Sequence, residues 1–418
     1  MSFITLLLYL ICTFIRPQDW IPAFYGQQLI LILAIATALF LVLERGLKKG
    51  AGFVKVPQNM LILGLLFAVL MSHVVHTYLG GMISAWSLFI VNVILFFIIA
   101  NALNTERKFK FAIWFIVFLI SLLAIQGIYQ FNHGYGWAGQ ALTKSDDVGS
   151  DRINWVSIFN DPNDLALTFV IAVGILLAFI FGKTKWGNRL AGIALISVLF
   201  YGIYLTNSRG GMLALMATVL FYFVKRSKKF LLGAIIGVLL VAAIFAFGPS
   251  RMALLSSDEA SAYNRIDLWY QGLQMLKSNL IFGVGFNMFQ EDLPQTAHNS
   301  YVLAGAELGF IGLFFFVGLI YASFKALSLV QKNDEQLKTY AYGLQSSLIG
   351  FCSAAFFLSR TYIILPYVLF ALSGALFYLV KQKNDKIIFK FSFIDVRNTA
   401  LLSVGIMMFI YGVVKVGL

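Results

Sequence analysis

The chain has 418 residues, of which 60% are hydrophobic and only 12% are charged, and its mean hydropathy is +0.86. These values exclude a soluble globular domain and predict an integral membrane protein that crosses the bilayer many times. The net charge of +13 does not indicate nucleic-acid binding, because lysine and arginine collect in the cytoplasmic loops of membrane proteins.

Long apolar runs dominate the sequence, and no internal repeat or low-complexity linker interrupts them. They predict an all-α polytopic membrane protein with about 12–13 transmembrane helices. We expect one membrane domain, residues 1–418. The predicted spans are 3–15, 28–44, 59–76, 82–100, 110–130, 165–182, 189–205, 209–224, 230–247, 299–324, 340–357, 363–380 and 399–417.

The distribution of basic residues predicts the orientation of these spans. If the N terminus is cytoplasmic, most of the 31 lysines and arginines fall in alternate connections, which are then cytoplasmic. Two long loops, 131–164 and 248–298, are then extracytoplasmic. The second contains "NRIDLWYQGLQML", which places apolar and aromatic residues at helical spacing: Ile266, Trp269, Tyr270, Leu273 and Leu276. That spacing predicts a short amphipathic helix lying on the membrane or on the bundle.

Arginine predominates among the basic residues of the outer face, although lysine is commoner in the chain. The planar guanidinium group binds phosphate and carboxylate in a bidentate manner, which favours a phosphorylated ligand on this face. The alternative is that these side chains only extend toward the membrane surface. The arginines are Arg16, Arg152, Arg209, Arg251, Arg265 and Arg360.

Three polar clusters precede spans that run from the outer to the inner face. Their sequences are "RINWVSIFNDPNDLAL" (152–167), "TNSRGG" (206–211) and "AHNSYVLAGAELGFIGL" (297–313). Each cluster is therefore predicted at a helix N terminus, where free N–H groups and the helix dipole favour anions. The acidic residues of the first cluster, Asp161 and Asp164, are typical of a turn that caps a helix.

The second cluster combines a capping residue, Ser208, with Arg209 and Gly210. Arg209 beside a helix end is suited to a diphosphate, and Gly210 would let a ligand approach the backbone. A capped helix whose arginine extends to the membrane surface fits the same residues equally well.

The third cluster contains His298, followed by Asn299 and Tyr301. His298 is suited to accept a proton from a hydroxyl or to orient it, because the pKa of histidine lies near neutrality. A structural role for this histidine is the alternative. Glu307 lies one or two turns inside the span, where a carboxylate is costly. Its position favours a functional role, such as pairing with an outer arginine or accepting a proton.

The ordered series "SRGG", "NRIDLWYQGLQMLKSNLIFGVGFNMF" and "HNSYVLAGAELGFIGL", with "FNDPNDLAL" upstream, resembles the O-antigen ligase and O-antigen polymerase superfamily. The specific part of the resemblance runs from Arg152 to Leu313. It implies a GT-C-type fold and a donor glycan carried on undecaprenyl diphosphate. It also implies an active site facing the periplasm, in the bacterial inner membrane, that uses neither metal nor cofactor. The first outer loop, "RPQDW", agrees with this, since it lacks paired acidic residues.

The resemblance also implies roles for individual residues. Arg209 and Arg265 would hold the donor diphosphate, and His298 would activate or orient the acceptor hydroxyl. Arg152 and Asn163 would shape the site. Further candidates for substrate binding are Ser208, Gly210, Asn299, Tyr301 and Glu307.

The reaction implied by the resemblance is an inverting, metal-independent glycan transfer of the ligase type. The acceptor would be lipid A–core, or a second lipid-linked repeat if the protein is an O-antigen or exopolysaccharide polymerase. Membrane lipid is the other expected partner, and nucleic acid is not expected. A flippase or transporter of a lipid-linked anion is the competing class. The superfamily usually has both chain ends in the cytoplasm, whereas the predicted spans place the C terminus outside.

Overall fold

The computed structural model describes residues 1–46, 52–144, 149–227, 230–246, 259–291, 293 and 295–417. Arg251 and part of the second long loop lie outside the described residues. The described chain contains one two-stranded sheet, β1 (Thr143–Lys144) with β2 (Asp151–Arg152), and 14 α-helices. The helices are α1 Ser2–Phe14, α2 Leu29–Gly46, α3 Pro57–Val74, α4 Leu79–Ala102, α5 Glu106–His133, α6 Pro162–Phe181, α7 Trp186–Leu205, α8 Arg209–Arg226, α9 Phe230–Ala246, α10 Glu259–Ser278, α11 Ser300–Asn333, α12 Lys338–Ala354, α13 Ile364–Lys383 and α14 Phe393–Gly417.

Each predicted span coincides with one of these helices, and nine helices in the described part of the chain are long and apolar enough to cross a membrane. Helices α1, α9 and α12 are shorter, and α8 carries three basic residues at its ends. The predicted class, a polytopic all-α membrane protein, is confirmed.

Helix α6 lies at the centre of the bundle, between α7, α8 and α12. In its apolar stretch 94% of the residues are buried, against 17% in α2 and 22% in α14. A close approach to α12 at Gly174 explains part of this burial. A Cβ atom at Gly174 would lie 2.6 Å from the backbone nitrogen of Ser347. Helix α6 is therefore closely packed against its neighbours.

The predicted amphipathic helix is α10, and it packs on α11 and α14. Its apolar side is buried at Leu268, Trp269 and Leu276, while Tyr270 is exposed. This arrangement confirms the amphipathic helix in the second long loop and shows that it lies against the bundle.

Helix α11 is broken at Gly309, whose φ of 65° lies in the left-handed region that favours glycine. Its backbone hydrogen bonds at the break go to the segment that follows α10. The N–H groups of Val284 and Gly285 donate to the carbonyl oxygens of Ala306 and Glu307, over 2.9 and 3.0 Å. This pairing satisfies the polar groups that the interrupted helix leaves open.

Candidate functional site

Three helix starts meet at one end of the bundle, and a polar side chain caps each of them. Asp161 caps α6, Ser208 caps α8 and Asn299 caps α11, each accepting a hydrogen bond from a backbone N–H in the first turn. The caps fix where the three helices begin. They also leave the polar clusters that the sequence predicted facing one another.

Asn163 joins the first two clusters. Its Oδ1 atom accepts hydrogen bonds from Nη2 of Arg152, over 3.0 Å, and from Oγ of Ser208, over 2.7 Å. Its Nδ2 atom donates to Asp161 over 2.9 Å. Arg152 is buried and also donates from Nε to the carbonyl oxygen of Thr206, over 2.8 Å. Arg152, Asn163 and Ser208 therefore form one connected network.

Arg152 is positioned by β2 and by the segment that follows it. The N–H of Ile153 donates to the carbonyl oxygen of Leu205 over 3.2 Å, which ties this segment to the end of α7. Oδ1 of the buried Asn154 accepts a hydrogen bond from the side chain of Gln130 over 2.6 Å. These contacts hold the long loop 131–164 against the bundle.

Arg360 joins the first and third clusters, although it belongs to neither of them in the sequence and is not among the predicted site residues. Its Nη2 atom contacts Oδ2 of Asp161 over 2.7 Å, and its Nε atom donates to Asp164. Its backbone N–H donates to Oγ of Ser300, at the start of α11, over 2.8 Å. The two acidic residues thus bind an arginine 196 and 199 positions away in sequence.

His298 is half-buried, and its backbone φ of 48° lies in the left-handed region. Burial lowers the pKa of its imidazole, and the positive charges of Arg265 and Arg360 lower it further, whereas Asp161 raises it. His298 is therefore close enough to both arginines for their charges to affect its pKa. The imidazole is consequently neutral near pH 7 and able to accept a proton.

Helix α10 brings Arg265 to this end of the bundle. Trp269, one turn further along α10, donates from Nε1 to the carbonyl oxygen of Ala297 over 3.0 Å. Ala297 directly precedes His298 in the chain. Arg265 itself is exposed, so a ligand in solution or in the membrane interface has access to it.

Arg209 is the first residue of α8 and is partly buried. The glycines after it allow close packing against protein. A Cβ atom at Gly211 would lie 2.6 Å from Cβ of Ala166 in α6, and one at Gly210 would lie 3.3 Å from Cβ of Phe357. Close packing thus accounts for Gly211, and a ligand contact at Gly210 stays a prediction.

Tyr301 and Glu307 lie deeper along α11. The hydroxyl of Tyr301 donates to the carbonyl oxygen of Cys352 over 3.2 Å, so this side chain points into the bundle and away from His298. Glu307 is buried, and its Oε1 atom accepts a hydrogen bond from the N–H of Phe289 over 3.1 Å. Glu307 contacts the backbone of Phe289 and the side chain of Tyr362, and not an outer arginine.

Among the described residues, no group of three or more His, Cys, Asp and Glu side chains is placed to hold a metal ion. The two histidines at the end of α3 contact the segment after α10. Nε2 of His73 lies 3.0 Å from the carbonyl oxygen of Phe286, and Nε2 of His76 lies 2.8 Å from that of Gly283. They support the backbone that pairs with the break in α11.

The fold and this site define a multi-pass membrane protein whose capped helix starts, arginines and a histidine meet at one end of the bundle. Residues 193–317 match the family model described as O-antigen ligase. The match confirms the resemblance to the O-antigen ligase superfamily over that part of the chain. It supports an activity of the O-antigen ligase or polymerase type. The chain matches no curated protein in a sequence comparison.

Proposed function

We propose that the protein transfers a glycan from undecaprenyl diphosphate to an acceptor hydroxyl at the end of the bundle where α6, α8 and α11 begin. The observation that carries this proposal is the family match over 193–317, which contains Arg209, Arg265 and His298. These are the residues to which the family resemblance assigns the diphosphate and the hydroxyl. We further propose that this end faces the periplasm and that the protein resides in the bacterial inner membrane.

In the proposed reaction, the acceptor oxygen attacks the anomeric carbon of the donor sugar with inversion. The new C–O bond forms as the C–O bond to the diphosphate breaks, and the electron pair leaves with undecaprenyl diphosphate. His298 takes the proton of the acceptor hydroxyl. Arg209, Arg265 and the free N–H groups at the start of α8 stabilise the charge that develops on the diphosphate.

The network of Arg152, Asn163 and Ser208 has a positioning role in this mechanism. It joins the starts of α6 and α8 by hydrogen bonds of 2.7 and 3.0 Å. It therefore keeps Arg209, which follows Ser208 directly, in a fixed place when the substrate binds. Preorganised charges of this kind accelerate a reaction because they need no rearrangement as charge develops.

The test uses the purified protein in liposomes with undecaprenyl-diphosphate-linked repeat units. Consumption of the donor only after lipid A–core is added supports the ligase, which we favour. Longer lipid-linked chains without another acceptor indicate the polymerase. We expect His298→Ala and Arg265→Ala each to abolish most transfer while the protein still inserts into the membrane. Near-normal transfer by either variant contradicts the role given to that residue.

One observation favours a second candidate, a transporter or flippase of a lipid-linked anion. Helix α11 is broken at Gly309, about 13 Å along its axis from Ser300, and the buried Glu307 lies beside the break. Broken helices with ionisable residues at membrane depth are typical of transporters. The same liposomes distinguish the two, because a flippase moves the lipid-linked donor between leaflets and leaves its glycan unchanged.

A further inference from the structure

A cavity of about 250 Å³ lies beside the break in α11. Parts of three segments enclose it: the first turns of α11, the chain that follows α10, and the chain between α12 and α13. We propose that this cavity binds one sugar ring of the glycan, and that Glu307 accepts a hydrogen bond from a hydroxyl of that ring. This inference rests on the proposed function. The polar side chains that line the cavity are Asn287, Gln290, Thr296, Glu307, Arg360 and Tyr362.

Glu307 provides the first argument, because half of its carboxylate lacks a partner. The side chain is 2% exposed, and its Oε1 atom is engaged by the N–H of Phe289. Its Oε2 atom is buried and has no hydrogen-bond partner among the described residues. The hydroxyl of Tyr362 lies beside Glu307 and acts on its carboxyl group, but the angle between the two side chains is poor for a hydrogen bond. A ligand hydroxyl in the cavity would give Oε2 the donor that it lacks.

The charges around the cavity indicate the kind of ligand. A phosphate is disfavoured because the guanidinium group of Arg360 is already paired with Asp161 and Asp164. A lipid chain is disfavoured because it would leave the polar lining without partners. The lining combines a carboxylate acceptor with guanidinium, amide and hydroxyl donors, and a polyhydroxyl ligand is able to use both kinds.

The size of the cavity agrees with a single ring. Its volume of about 250 Å³ lies just below the range of ~300–1,000 Å³ that drug-sized ligands occupy. One sugar ring with its substituents fits such a space, and a disaccharide would extend beyond it.

The cavity is also adjacent to the proposed point of reaction. Arg360 lines the cavity, and its charge acts on His298. Thr296, two residues before His298, donates from Oγ1 to Oγ of Ser359 over 2.9 Å, which joins two walls of the cavity. A ring bound here would lie next to the histidine. The ring could belong to the donor or to the acceptor, and both present the same hydroxyl chemistry.

The test measures inhibition of transfer by two probes, using the full-length protein in liposomes. One probe is the repeat-unit oligosaccharide released from its lipid carrier, and the other is undecaprenyl diphosphate. In Glu307→Gln the remaining side-chain carbonyl still accepts from Phe289, so we expect the protein to fold. We expect its inhibition constant for the oligosaccharide to rise about tenfold, because the amide nitrogen that replaces Oε2 does not accept a hydrogen bond from the ligand hydroxyl. The constant for undecaprenyl diphosphate should stay within twofold of the wild type.

The source of the ring follows from the type of inhibition. Competition between the oligosaccharide and the lipid-linked donor assigns the cavity to the donor sugar, and competition with the acceptor assigns it to the acceptor sugar. Gln290 lies at the exposed rim of the cavity, and Gln290→Ala should weaken oligosaccharide inhibition about threefold. This variant tests the sugar site if Glu307→Gln does not fold. Glu291→Gln is the matched control, because this exposed carboxylate follows Gln290 but does not line the cavity.

Three outcomes are informative beyond the expected one. Unchanged inhibition by both probes in Glu307→Gln and Gln290→Ala overturns the sugar site while leaving the proposed function intact. If Glu307→Gln weakens inhibition by both probes equally, Glu307 has a general structural role, and the sugar site is again overturned. If the wild-type protein transfers no glycan at all, the proposed function itself fails, and the sugar site fails with it.

Discussion

The two ends of the bundle use charged residues in different ways. At the polar end, where α6, α8 and α11 begin, Arg360 is 18% exposed and holds two carboxylates of α6. At the opposite end, which we call the lysine end, ion pairs join Lys325 and Lys383 to carboxylates on other helices and loops. Lys383 contacts Asp334 over 2.6 Å and Glu106 over 2.5 Å, yet remains 41% exposed.

The difference separates two tasks. A lysine carries a compact charge on a flexible stem, which suits a tie between helix ends that water still reaches. Hydrogen bonds from Lys383 and from two backbone N–H groups lower the pKa of Asp334, although burial raises it. The planar fork of Arg360 instead sets the direction of two contacts at once, as a site that must hold a substrate requires.

The largest expected effect comes from deleting one cation at each end. Arg360→Ala leaves Asp161 and Asp164 without their partner, and losing one member of a buried pair costs about 3–5 kcal/mol. We expect the lower part of that range, because water partly reaches the guanidinium group. Lys383→Ala should cost about 0–1 kcal/mol for each exposed pair. Thermal unfolding in detergent measures both.

Transfer activity should separate the same two variants further. We expect Arg360→Ala to lose most activity and Lys383→Ala to keep most of it, since only the first lies beside His298. Equal loss of stability and activity in the two variants would mean that the ends do not differ in the way described.

A reciprocal exchange should give the next largest effect. Arg265→Lys keeps the charge but loses the bidentate fork, and we expect transfer to fall at least tenfold if this residue holds a diphosphate. Lys325→Arg should keep nearly full activity, because Asp395 accepts from either cation. Initial rates in liposomes, compared at equal amounts of folded protein, test both. A loss of activity in Lys325→Arg as large as in Arg265→Lys would contradict the comparison.

The pH dependence of transfer is the third prediction. Because burial and two arginines lower the pKa of His298, its neutral form persists below the ordinary value of about 6.5. Transfer should therefore decline only as the pH falls through this lowered pKa. Removing a positive charge in Arg265→Gln raises the pKa, so the acid limb of the profile should move to higher pH.

Arg265→Lys is the matched control for that shift, since it retains the charge. Rates are normalised to each variant's own maximum, so that lower activity does not hide the position of the limb. A limb at the same pH in Arg265→Gln and in the wild type would show that His298 does not control it.

The smallest expected effect concerns the helix caps. Oγ of Ser208 accepts from the N–H of Gly211 over 3.0 Å and donates to Asn163 over 2.7 Å, within a buried network. Its replacement by alanine should cost about 0.5–2 kcal/mol. Thr105 caps α5 at the lysine end through one exposed bond of 3.4 Å, and Thr105→Ala should cost less. The thermal unfolding midpoints of the two variants show which cap contributes more to stability. A larger decrease for Thr105→Ala than for Ser208→Ala would contradict the prediction.

Much of the fold could be predicted from local sequence. The spans and the amphipathic helix follow from hydropathy and spacing, which act within one segment. The capping role of Ser208 follows from its place before an apolar run, for the same reason. Only the sidedness of the bundle depends on a statistical rule, and it stays a prediction.

The parts that sequence did not predict depend on contacts between distant segments. Arg360 was recognised only as an outer arginine, because nothing near it in the chain indicates that its partners lie in α6. Gly309 looks like an ordinary glycine of a membrane span. Its break becomes stable only because the chain near Val284 supplies hydrogen bonds to α11. The carbonyl contacts of His73 and His76 are likewise invisible without the fold.

The long separations within the site have a consequence for biosynthesis. His73 holds a segment 213 residues later in the chain, and Arg360 reaches back 196 residues to Asp164. The polar end is thus incomplete until the ribosome has passed α12. Arg209 and Arg265, to which we assign the donor diphosphate, are therefore synthesised before the residue that completes this end. We therefore expect a chain that ends before Arg360 to be inactive in transfer.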